Sequence, residues 1–81
     1  MAWEKEGKKY VNKYGRVVCH IEKYRGYTWL LTCTKPNSVR GYIDVTKTLK
    51  SAKAKAPALA KRARVVRTVG PRERAVYFES Y

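Results

Sequence analysis

Val17-Val18-Cys19-His20-Ile21-Glu22 and Tyr27-Thr28-Trp29-Leu30-Leu31-Thr32-Cys33-Thr34 are the two stretches that decide the fold. Val17, Cys19 and Ile21 alternate with Val18, His20 and Glu22. Tyr27, Trp29, Leu31 and Cys33 alternate with Thr28, Leu30, Thr32 and Thr34. Alternation at period two among β-branched and aromatic residues is the mark of half-buried strands. Tyr24-Arg25-Gly26 between them predicts a hairpin. A two-residue loop at Arg25-Gly26 would oppose Cys19 to Thr32 and mix the faces. A three-residue loop puts Gly26 where a left-handed residue is needed and pairs Ile21 with Trp29, Cys19 with Leu31 and Val17 with Cys33. Every inward pair is then apolar, with Trp29 at the centre of the core. Cys19 and Cys33 become diagonal neighbours with Cα atoms roughly 7–8 Å apart, beyond the usual bridging range. Two free thiols acting as small core hydrophobes are expected.

Outward from the hairpin, Lys9-Tyr10-Val11-Asn12 reads as a short strand ended by a turn at Lys13-Tyr14-Gly15. Lys35-Pro36-Asn37-Ser38 is a turn cluster. A further strand spans 40–45, with Ile43 and Val45 inward and Tyr42 outward. Asp44, Thr46 or Thr48 is positioned to cap a helix. Leu49, Ala52, Ala56, Leu59 and Ala60 form the narrow apolar stripe of a helix lying on a sheet. Pro57 lacks an amide donor and predicts an end or kink near Lys55. The competing reading of Ser51–Ala58 is a solvated basic linker. β character returns at Val65–Val69 and Ala75–Phe78 around a Gly70-Pro71 break. The expected fold is therefore α+β: a small antiparallel sheet of three to four strands packed on one helix, with a basic C-terminal β-arm. Residues 1–63 form the sheet-plus-helix domain and 64–81 the arm, which belongs to the same domain or joins two copies into a homodimer.

The chain has 81 residues, enough for one domain with a small core. Hydrophobic residues make up 44% of it, too many for a disordered segment. The longest unbroken apolar run, Ala56–Ala60, contains Pro57, and the first residues offer no apolar signal, so neither a membrane partner nor secretion is expected. Structural zinc needs four ligands, and Cys19, Cys33 and His20 supply only three. No nucleophile motif, phosphate-cradling glycine loop or paired carboxylates are present. The expectation is a non-enzymatic protein without a cofactor or metal, in the cytoplasm or on the nucleoid.

Charge points to the partner. Nineteen Lys and Arg against six Asp and Glu give a formal net charge of +13. Between Asp44 and Glu73 there is no acid, and this window holds Lys47, Lys50, Lys53, Lys55, Lys61, Arg62, Arg64, Arg67 and Arg72. Self-repulsion on this scale is most commonly relieved by phosphates, whose counterions are released on binding. Duplex DNA is the leading partner, held by Lys47, Lys50, Lys53, Lys55, Lys61, Arg62, Arg64 and Arg67. RNA, as in a ribosome-associated protein, is the first alternative. The second is an acidic host protein that the chain inhibits. Seven tyrosines raise the option of stacking on single strands. Only Tyr42 is placed on an exposed face by the pattern, and Tyr10, Tyr27 and Tyr77 are assigned to packing.

Gly15–Ile21, Tyr27–Leu31, Gly41–Val45 and Leu49–Ala56 together resemble a known DNA-reading layout, three antiparallel strands followed by an Ala/Lys-rich helix. Plant ethylene-response-factor domains and the arm-site-binding domains of phage-type tyrosine recombinases share it. The resemblance covers about half the chain and implies that the exposed sheet face enters the major groove while the helix backs it. It implies groove-facing roles for Arg16, Arg40 and Tyr42. A small, strongly basic protein of this kind also looks like the product of a phage or mobile element.

Overall fold

The computed structural model describes residues 3–68 and 77–80, the last four as backbone with the Phe78 side chain. Five antiparallel strands follow one another in space as in sequence: β1 (Glu4–Glu6), β2 (Lys9–Tyr14), β3 (Val17–Lys23), β4 (Trp29–Thr34) and β5 (Arg40–Thr46). Helix α1 (Leu49–Arg64) lies across β3, β4 and β5. A short β6 (Tyr77–Ser80) runs parallel to β5 at the sheet edge. The α+β class and the antiparallel sheet on one helix agree with the sequence. The strand count does not, because charged Glu4-Lys5-Glu6 pairs with β2 and carries no hydrophobic alternation. Half of the expected arm, residues 69–76 and 81, lies outside the described residues. Of its parts, Thr68 bridges to Ser38, and Tyr77–Ser80 pairs with this chain's own β5.

Gly7 and Gly15, both at positive φ, open the two-residue turns that join β1 to β2 and β2 to β3. The third turn changes the register. Gly26 (φ 58°) takes the first central position of a tight turn closed by the Thr28 amide donating to the Arg25 carbonyl at 3.0 Å. The Tyr24 amide donates to Thr28 O, also at 3.0 Å. The β3–β4 pairing is thereby displaced by two residues from the expected one. Ile21 faces Leu31, Cys19 faces Cys33, and Lys23 faces Trp29. A shift of two leaves each side chain on its own face. Val17, Cys19, Ile21, Leu31 and Cys33 are accordingly all buried.

Three expectations fail with that register. Cys19 and Cys33 are bonded as a disulfide, their Cα atoms 4.1 Å apart. This is close to the spacing of directly opposed, non-hydrogen-bonded residues. The bond fixes no compartment by itself. Trp29 sits at the end of the ladder, half-buried, with its ring 6.4 Å from Tyr10. Tyr27 is almost fully solvent-exposed at the turn instead of packed.

β5 has the opposite phase to the expected one. Tyr42 lies opposite Cys33 and is buried beneath the helix, so it is not a groove-facing residue. Ile43 and Val45 occupy the open face, with Val45 exposed. The apolar Ile43 and Val45 made the wrong face look like the inner one. The polar residues on the inner side are satisfied locally. Asp44 pairs with Lys55 at 3.0 Å, and Thr46 Oγ1 donates to the Thr48 carbonyl at 2.9 Å.

Thr48 caps α1, its Oγ1 accepting from the Ser51 amide at 3.0 Å. Ala52, Ala56, Leu59, Ala60 and Ala63 form the buried stripe, whose small residues let the helix approach the disulfide-linked strands closely. Pro57 neither ends nor caps the helix, which continues to Arg64. Its ring is on the exposed side, where it displaces no packed neighbour. At the other end Lys35 Nζ donates to the carbonyls of Arg64 (3.0 Å) and Val66 (2.6 Å). A cation thus satisfies the helix C-terminus and complements its dipole.

Two outcomes test this arrangement. Alkylation without reductant should label neither Cys19 nor Cys33. Reduction should lower stability to denaturant by up to about 3 kcal/mol, the value for a closed loop of this size, and identical melts with and without reductant would contradict the bridge. Gly41 tests the β5–β6 edge. A Cβ there would run into the Thr34 methyl and lie 2.7 Å from the Phe78 ring. Gly41→Ala should destabilise by about 1–3 kcal/mol, as overpacking does, and Phe78→Ala should recover part of that loss. Additive effects would mean that Phe78 does not cover Gly41.

Candidate nucleic-acid interface

Strand parity sorts the sheet's charges onto two faces. The face away from α1 carries Glu4 and Glu6 on β1, Lys9 and Lys13 on β2, and Glu22 on β3, with Glu22 directly opposite Lys9. Val11, Val18, His20, Leu30, Thr32, Ile43 and Val45 fill the rest. Burial, and secondarily the Lys9 ammonium, hold the His20 pKa below its ordinary value, so the ring is neutral at pH 7 and adds no cation. This mixed-sign, partly apolar face is poorly suited to a phosphate backbone.

The helix side is different. Asp44, the one acid on that side among the described side chains, is already paired with Lys55. Lys50, Lys53, Pro57, Lys61 and Arg64 recur at spacings of three and four residues and share one flank of α1. At ~1.5 Å rise per residue this flank is about 21 Å long. None of its four cations has an acidic partner among the described residues. Beside it run the inward residues of β2 and its neighbours, which α1 does not cover. Trp3 meets Tyr14 edge-on at 6.4 Å, and Tyr10 meets Trp29. Lys53 and Lys5 lie 5.0 and 5.9 Å from the Tyr10 ring centroid, and Lys23 lies 5.4 Å from that of Trp29. Cations of α1 and of the neighbouring strands therefore lie against this row of rings. At its C-terminal end an open groove of about 370 Å³ is lined by Tyr14, Gly15, Pro57, Ala60, Lys61 and Arg64. The Tyr14 hydroxyl accepts from Asn12 Nδ2 at 3.3 Å, leaving its own proton available to an anion.

The expected site residues are thus only partly brought together. Lys50, Lys53, Lys61 and Arg64 form the stripe. Lys55 and Arg62 lie on the opposite flank of the helix, Lys55 at Asp44. Lys47 precedes the helix and Arg67 follows it, and both are exposed. Arg16 is exposed in the β2–β3 turn next to Gly15, at the groove. Arg40 is exposed at the start of β5, on the helix side by its register. Tyr42 is in the core. The sequence reading missed Tyr10, Tyr14 and Trp29 as neighbours of the cations. The 3-4-4-3 spacing of Lys50, Lys53, Pro57, Lys61 and Arg64 was available as a signal, but became meaningful only once Pro57 lay inside the helix. Comparison of the chain with protein-family models, with curated proteins and with solved structures finds no match.

Proposed function

We propose that this is a non-enzymatic nucleic-acid-binding protein that lays a phosphodiester backbone along the Lys50–Lys53–Lys61–Arg64 flank of α1. The observation that carries the reading is this stripe of cations, without acidic partners among the described residues, beside a row of aromatic rings. A phosphate chain supplies the missing negative charge along a line, and counterion release supplies the free energy. Tyr14 and Arg16 extend the contact surface at the groove. Duplex DNA is the first target, approached from the helix flank rather than through the open sheet face, and RNA is the alternative. The acids of the open face count against the major-groove docking that the three-strand-and-helix resemblance implies. No sequence reading is assigned to the stripe, because phosphate contacts position without specifying.

Fluorescence anisotropy at three salt concentrations, with two unrelated duplexes, tests the reading. With about five to seven phosphate contacts, log K should fall against log salt with a slope of about −4.5 to −6. Replacing Lys50, Lys53, Lys61 and Arg64 together by Ala should weaken both duplexes alike and flatten the slope by about 3 to 4. Replacing Lys9 and Lys13 on the open face should leave the slope nearly unchanged. Salt-independent affinity, absence of binding at low salt, or equal effects of the two sets would refute the assignment.

A further inference from the structure

The β3–β4 turn presents a feature that phosphate binding does not use. Tyr27 is 88% exposed and Tyr24 is 49% exposed, three residues apart in one turn. The Arg25 guanidinium lies 5.7 Å from the Tyr24 ring centroid. Exposed tyrosines on a loose loop would mean little, but this turn is fixed. Thr28 N and Thr28 Oγ1 both donate to the Arg25 carbonyl, Tyr24 N donates to the Thr28 carbonyl, and Gly26 supplies the positive φ that closes it. Two large rings are held out in water on a braced hairpin, so little ordering entropy is lost when something stacks on them. Cations surround the turn: Arg25 within it, Lys23 at its base, and Lys47 just beyond Thr46, which pairs with Trp29. This places it at the end of the sheet from which α1 departs, and Lys50 begins the stripe one turn further on.

We propose that Tyr27, with Tyr24 and Arg25, is a stacking site for unpaired nucleobases. The inference rests on the nucleic-acid reading above and narrows its substrate to one with a single-stranded segment. Every base offers a π face, and a ring with a guanidinium beside it engages such a face without regard to sequence. Paired bases within an intact duplex keep both faces covered by their neighbours. Only the two terminal pairs of a blunt duplex leave a face open, so along its length a duplex uses the helix stripe and not the turn.

Tyr27 is a clean probe because so little of it is buried. The test measures binding of Tyr27→Ala, Tyr27→Phe and the unaltered chain to labelled oligothymidylate of about fifteen nucleotides, near the span of known single-strand sites, and to a blunt duplex. Tyr27→Ala should lower affinity for the single strand by about 5- to 150-fold, the usual loss per stacked base. Tyr27→Phe should restore it, and the duplex affinity should not change. Unaltered single-strand affinity in Tyr27→Ala, alongside salt-dependent duplex binding, would overturn the stacking site and leave the helix interface standing. Failure of the unaltered chain to bind either ligand at low salt would overturn both.

Discussion

The direct opposition of Cys19 and Cys33 is the constraint on which the other elements depend. It holds the central β3–β4 pair in a single register, and that register fixes which residues face α1. The disulfide lies within the buried cluster under the Ala52–Ala56–Ala60 stripe, where larger helix residues would stand the helix off the sheet. With the helix centred on these strands, β2 is left beside it rather than beneath it. Tyr10 and Tyr14 consequently become the floor of a flank instead of core. A domain of 81 residues buries little apolar surface, so a covalent link closing a loop of 14 residues is a substantial part of what stabilises it.

That margin matters because the charge distribution works against folding. Like charges three or four residues apart on a helix cost about 0.2–0.5 kcal/mol per pair, and Lys50, Lys53, Lys61 and Arg64 include two such pairs. Single Glu substitutions on this flank would turn those repulsions into attractions. Instead, the acids at Glu4, Glu6 and Glu22 lie on the far face of the sheet. Lys35 adds another cation at the helix C-terminus, where the dipole favours it. The arrangement concentrates positive potential on one side of the molecule, which is unfavourable for the isolated chain and favourable for a polyanion complex.

Much of this was legible in the sequence, and what was not has specific causes. The faces of β3 and β4 followed from alternation alone, because period two fixes parity whatever the loop does. The register did not, since it depends on whether Gly26 closes the turn at its first central position or its last. That one choice decided the disulfide, the peripheral place of Trp29 and the exposure of Tyr27. β5 misled because either of its faces is partly apolar. Asp44 and Thr46 argued against the true inner face until Lys55 and the Thr48 carbonyl were seen to satisfy them. Pro57 misled in the opposite direction. Its rule penalises the helix, but the Thr48 cap, the Lys35 contacts and a continuous buried stripe outweigh the lost hydrogen bond.

Pro57 also bears on how the stripe works. It occupies the middle of the basic flank, the position between Lys53 and Lys61 where a further cation would otherwise fit the spacing. A lysine there would add one cation, but also a repulsion of about 0.2–0.5 kcal/mol with each neighbour at i−4 and i+4. Proline contributes no charge and no flexible stem. It leaves an apolar wall facing Tyr14 across the groove, with Lys61 and Arg64 on its rim. The flank is therefore two cationic segments separated by an apolar one. The proline thus interrupts the charge of the flank without interrupting its surface.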